Sequence, residues 1–161
     1  MNNVVARTAA AIAASAAVIT GCSITKPHQA AVRTTAPSLT QQWKTWQAGQ
    51  GAMDRQAVSY DLGQVRAAGV NFSELESAAG QLNVDATGAQ SDPLPPVLSA
   101  VYRYAMGRYA SAGAAMALAA NAALHGSYGT ADGLVKAAIT QLHRGNAAMD
   151  QWNAAAGEPS A

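Results

Sequence analysis

Cys22 is the only thiol in the sequence, and it stands directly behind an apolar run. With no second cysteine in the chain, disulfides do not hold it together, and a lone thiol points to covalent modification or to chemistry with another molecule. The other ligating residue types are sparse: His28, His125, His143, and the glutamates Glu74, Glu76 and Glu158. None of these glutamates precedes a histidine at the Glu-x-x-His spacing of a di-iron bundle. No Cys/His cluster has zinc spacing. There is no glycine-rich phosphate loop between a strand and a helix, and no nucleophile-elbow serine. A hydrolase, a transferase and a metal enzyme all lack their constellations, so the expectation is a protein without catalytic residues, metal or cofactor.

Two aromatic groupings remain. Trp43 and Trp46 share one helix face at i,i+3, and Trp152 lies near the far end of the chain. If the first and last helices run as the outer members of an up-down bundle, all three rings meet at one end. They then either close the core or line an apolar groove for a ligand or peptide. Tyr102, Arg103, Tyr104, Arg108 and Tyr109 gather cations and phenols on one helix, where arginine stacks on tyrosine or snorkels at a bundle rim. Trp43, Trp46, Trp152, Tyr104 and Arg108 are therefore the candidate ligand or partner surface. His125 is expected at a helix C-terminus, where the dipole favours its protonated form. His143 lies much further from the intervening turn, so the two do not share a metal.

The residues around Cys22 have a pattern of their own. Residues 1–8 are polar with one cation, Arg7, and residues 9–20 are twelve apolar or small residues. As a helix these twelve would span about 18 Å, too short for a ~30 Å hydrocarbon core but right for a signal-peptide core. The four residues Ile19-Thr20-Gly21-Cys22 that end the run resemble the bacterial lipobox. That resemblance implies cleavage between Gly21 and Cys22 and a diacylglyceryl group, with acyl chains such as palmitate, on the Cys22 sulfur. Two such chains suffice for stable anchoring at about 0.8 kcal/mol per buried CH₂. The expected localisation is the extracytoplasmic face of the cell membrane. Residues 22–37 mix Ser, Thr, Pro and single charges without periodicity and read as a tether; His28 belongs to it.

The charge balance limits the partners further. Without residues 1–21 the chain has nine basic and nine acidic residues. A neutral domain gives no footprint for nucleic acid and none for a polybasic membrane-surface helix.

The elements that must position these side chains are helices. Forty of the 161 residues are alanine, the best helix former, which buries little area per side chain. The core must come from close backbone approach. Ser38 with Gln41 predicts a capping box that opens a first helix over 38–68, with a weak point at Gly49 and Gly51 and a stripe of Leu39, Trp43, Trp46, Met53, Ala57 and Tyr60. Ser73 with Glu76 predicts the cap of a second, shorter helix that fades near Gly88, with Phe72 as a staple. "SDPLPP" breaks it. A third helix is expected from Pro96 to His125 and a fourth, capped by Thr130, to Ala156. Asp132 and Lys136 form an i,i+4 pair on the fourth.

The expected fold is all-α: an up-down four-helix bundle with one short helix, after a cleaved signal peptide and a flexible tether. The divisions are 1–21 signal peptide, 22–37 lipidated cysteine and tether, 38–157 bundle and 158–161 tail. The chain resembles the small helical lipoproteins of high-GC Gram-positive bacteria, on its Ala/Gly/Arg-rich composition and its "DPLPP" break before a Tyr- and Ala-rich helix. That resemblance implies no activity and no site residues. The functional expectation is a membrane-tethered, non-enzymatic interaction module of the cell envelope, with an envelope protein as partner. The alternative is a carrier of a small apolar molecule or lipid in a cavity between alanine-rich helices.

Overall fold

The structure is a computed structural model that describes residues 37–156. Gly21, Cys22, the tether and the tail from 157 onward lie outside the described residues. Five helices follow in order: α1 Leu39–Ala48, α2 Gln50–Ala68, α3 Phe72–Ser91, α4 Ser99–Leu124 and α5 Tyr128–Ala156. The fold is all-α, an up-down four-helix bundle in which α1 and α2 together form the first arm. Along the chain α2 packs on α3, α3 on α4 and α4 on α5.

Ser38 caps α1 as expected, its hydroxyl accepting from the Gln41 N–H at 3.2 Å. The first arm, expected as one helix with a weak point, is broken at Gly49. The Gly49 N–H closes α1 on the carbonyls of Thr45 and Trp46, while its own carbonyl receives the first amides of α2, from Ala52 and Met53. The break resets the helical phase. The expected stripe placed Met53 and Tyr60 inside, yet they are 59% and 64% exposed, and Asp54, Val58, Asp61 and Ala68 face inward instead. Gly69 ends α2 with φ +54, a left-handed geometry that glycine adopts without a Cβ penalty.

The second expected boundary also moves. Asn71, not Ser73, caps α3, its side-chain oxygen accepting from the Glu74 N–H at 3.3 Å. Asparagine caps as well as serine, so Phe72 enters the helix. Gly88 does not stop α3, which runs to Ser91; Pro93 sets the end by holding Asp92 extended. At 20 residues, about 30 Å, α3 is longer than expected. The connector is 92–98, and α4 opens at Ser99 after a left-handed Leu98 (φ +66), so Pro96 stays outside it. At the far end of α4, Gly126 donates to Ala123 O and Ser127 to Ala122 O, a Schellman closure. That closure uses few residues, so α5 restarts at Tyr128 and Thr130 lies inside its first turn rather than capping it.

Small residues bring the last three helices close. A Cβ placed on Gly113 of α4 would lie 2.6 Å from the Ala79 carbonyl and 2.7 Å from the Asn83 nitrogen of α3. Beside it the Asn83 amide donates to the Ala110 carbonyl at 2.8 Å, tying the two helices where they touch. On the other side of α4, Gly145 of α5 lies against the Tyr109 ring, whose hydroxyl donates to Asn146 at 2.9 Å. The core has two parts. One joins Trp43, Trp46, Val58, Leu82, Tyr102, Met106 and Trp152; the other joins Ala68, Leu75 and Ala120 beneath Phe72, Val65 and Met116.

Candidate functional site

The three tryptophans meet at one end of the bundle, as their spacing predicts. Ring centroids are 5.2 Å apart for Trp43–Trp46, 5.7 Å for Trp43–Trp152 and 6.0 Å for Trp46–Trp152, with Tyr102 4.9 Å from Trp46 and 5.4 Å from Trp152. Most of the pairs are edge-to-face, the arrangement that aligns a positive ring edge with a negative face. Gly51 makes room for them: a Cβ there would lie 2.5 Å from the Trp46 ring. The cluster is closed. Trp43, Trp46 and Trp152 are all buried and form a core cap, and of the three Trp43 also lines an outer cleft. Rings this close fill the space that a groove between them would need.

The cap has a polar floor. Asp54 is buried on α2 beside Tyr102; one of its oxygens accepts from Gln50 at 2.7 Å and the other has no hydrogen-bond partner. Burial, aided by the charge of Asp92, raises the Asp54 carboxyl above its ordinary range, against the Gln50 hydrogen bond and the neighbouring Arg55. Burial and the Asp54 charge push the Tyr102 phenol up as well. The Arg55 guanidinium lies 5.4 Å over the Trp152 ring. The indole N–H groups of Trp43, Trp46 and Trp152 and the Tyr102 hydroxyl are buried without hydrogen-bond partners.

Tyr104 and Arg108 stay at the surface. The Arg108 guanidinium stacks 4.5 Å from the Tyr104 ring and donates to Gln141 of α5 at 3.0 Å. Tyr104 lines a cleft of about 460 Å³ along the α4–α5 seam, with Val101, Arg144, Ala148 and Gln151. Of the five candidate surface residues, these two are the most exposed. A second cleft, about 360 Å³, lies beside Leu39, Trp43, Lys44, Val97 and Ala156.

A polar feature that the apolar stripe did not foretell lies at the floor of the α2–α3 seam. Asp61 of α2 is 4% exposed, and its second oxygen has no hydrogen-bond partner. That carboxylate sits against Asp85 of α3. Burial first, then the Asp85 charge and a hydrogen bond shared with it, raise the Asp61 carboxyl to about 6. Asp85 in turn accepts from Gln81 at 2.9 Å. Two neighbouring carboxylates do not both ionise cheaply, so the more buried one, Asp61, keeps its proton to higher pH. The spacing Asp54, Val58, Asp61, Val65, Ala68 was a signal for this inward face, masked by the apolar alternative through Met53 and Tyr60.

The sign of the resulting pH dependence follows. An unfolded aspartate releases its proton near 4 and folded Asp61 near 6, so this residue costs stability as pH rises from about 4 through about 6. Asp61→Asn is expected to gain roughly 1–2 kcal/mol at pH 7.5 and to change little at pH 4. Urea unfolding at both pH values measures it; equal effects at the two would contradict the raised Asp61 carboxyl.

The remaining expected features are surface groups. Lys136 and Asp132 pair at 2.7 Å, both largely exposed, a contact of little stabilising value. The His125 ring bonds to the Asn121 carbonyl at the end of α4, and His143 is exposed. Among the described residues no three ligating side chains gather for a metal, and no helix is long and apolar enough to cross a membrane. Comparison with protein-family models, curated proteins and solved structures found no match to this chain.

Proposed function

We propose that the chain is an extracytoplasmic lipoprotein, anchored in the cell membrane through the lipid on Cys22, whose bundle is a non-enzymatic binding module for an envelope protein. The observation that carries the binding reading is the contrast between a filled interior and an apolar exterior. The largest rings close on one another, while Met53, Tyr60, Val84 and Tyr104 are left substantially exposed. Met53 and Tyr60 stand together on the α2–α3 seam, and exposed apolar side chains at a seam are what a protein partner covers. Against catalysis, Asp54 and Tyr102 are buried within the ring cap and line none of the clefts, whereas Asp61 lines both clefts of the α2–α3 seam beside Asp85, a carboxylate pair with no histidine, cysteine or metal ligand set around it in either lining. The carrier alternative has less support. The alanine-rich parts of α3 and α4 meet at backbone contact around Gly113, which leaves no width for a ligand there.

The anchor is supported by Ile19-Thr20-Gly21-Cys22 behind its apolar run. Cys22→Ala in a bacterial expression host is expected to move the domain from the membrane fraction to the soluble fraction and to abolish incorporation of labelled palmitate. Unchanged membrane association of the variant would refute the anchor.

A further inference from the structure

Between residues 50 and 92 stand six acids and two bases, and α3 itself carries no Lys or Arg; between 99 and 156 stand two acids and four bases. The excess of negative charge therefore lies on the α2–α3 side. Along that seam runs a groove of about 480 Å³ lined by Met53, Gln56, Ala57, Tyr60, Gln81 and the pair Asp61 and Asp85. An adjoining cleft of about 390 Å³ continues past Asp61 to Gln64 and Glu74. The groove has apolar sides in Met53, Ala57 and the Tyr60 ring. Its floor holds Asp61, almost wholly buried, with a carboxylate oxygen that no group of the protein satisfies.

An ionised buried carboxylate without a partner is costly, and the cost is relieved by a proton or by a cation from outside. A divalent metal would want six or more oxygen ligands, whereas the seam offers two carboxylates and the glutamine amides. A guanidinium suits it better: a planar fork with five donors that pairs with carboxylates at both edges and stacks on an aromatic ring. Its three-carbon stem matches the apolar walls.

We propose that the α2–α3 groove docks an arginine side chain presented by an apolar segment of a partner protein, with Asp61 and Asp85 taking the guanidinium and Met53 and Tyr60 covering the flanking residues. This rests on the reading of the bundle as a binding module and is independent of the lipid on Cys22. Proton and guanidinium compete for the same two carboxylates, which face Tyr60 on α2, with Glu74 further along the adjoining cleft on α3, and no cation in either groove lining.

The test titrates the protein with a capped Ala-Leu-Arg-Leu-Ala peptide, following the side-chain carboxyl carbons of Asp61 and Asp85 by NMR. At pH 7.5 both signals are expected to shift saturably. Citrulline in place of arginine should weaken binding about tenfold or more, as should Asp61→Asn, a variant expected to fold at least as stably. At pH 5 the arginine peptide should bind about tenfold more weakly, since the pair then holds its proton. Equal binding of the arginine and citrulline peptides, undiminished binding to Asp61→Asn, or no saturable shift would overturn the proposal. So would calcium ion that shifts the same carbons at lower concentration than the peptide. A negative result here leaves the membrane release of Cys22→Ala untouched, so the two failures are distinguishable.

Discussion

Gly113→Ala is expected to destabilise the domain by about 3 kcal/mol, although alanine is the better helix former by about 1 kcal/mol. The new methyl would stand 2.6 Å from one backbone atom of α3 and 2.7 Å from another. Neither can move aside as a side chain would, so α3 and α4 must part. Parting them also lengthens the Asn83 bond to the Ala110 carbonyl, and a half-buried amide loses its partner. Two controls isolate the cause. Gly88→Ala, at an exposed position of α3 with nothing within 4 Å, should stabilise by roughly 0.5–1 kcal/mol. Gly107→Ala meets only the movable end of Gln90 and should be nearly neutral. Urea denaturation of the three variants gives the ranking; a Gly113→Ala protein as stable as Gly88→Ala would mean that α3 and α4 do not meet at backbone distance.

Trp152→Ala is expected to cost about 3–5 kcal/mol, the range for deleting a large buried aromatic. Trp152 is 0% exposed and is the ring common to four contacts: with Trp43, Trp46, Tyr102 and the Arg55 guanidinium. Its removal does more than open a cavity, because α1 reaches α5 through Trp43 and Trp46. The loss should therefore appear first as lost amide-exchange protection across residues 39–48, with α3 and α4 opening only at the lowered global stability. Trp152→Phe keeps a ring in place and should lose less than half as much. Uniform loss of protection over all helices would show that α1 is held by something other than these rings.

The bundle and its last three helices were legible because one signal, apolar spacing, ran without interruption. On α3 Leu75, Ala79, Leu82 and Ala86 recur at helical spacing and are buried, and on α4 so do Tyr102, Ala105, Tyr109 and Ala112. The caps were harder. Asn71 and Ser73 compete within one turn, and nothing local decides between two good capping residues. The first arm failed for a different reason. A stripe read through Gly49 assumes continuous phase, but the chain breaks there, and α2 turns Asp54 and Asp61 inward while Met53 and Tyr60 face out. Polar residues in an inward register look like errors of register until the partner helix is known, and Asp85 lies 24 residues away. The aromatic cluster was legible as a meeting of rings; its close packing, with the rings buried against one another, depends on distances that spacing does not contain.

The break at Gly49 also sets how the molecule responds to a pull. The chain enters the described domain at residue 37, and the first structure it meets is a ten-residue helix gripped mainly by two indoles. Tension arriving from the N-terminal side loads α1 before any other helix, while α3 and α4 meet at backbone distance at Gly113 and α5 packs along α4. A soft grip thus stands in series with a stiff body. Under load the domain is expected to yield in two stages, the first being the drawing out of α1 from its helical length, which adds about 20 Å of chain before the bundle itself is strained.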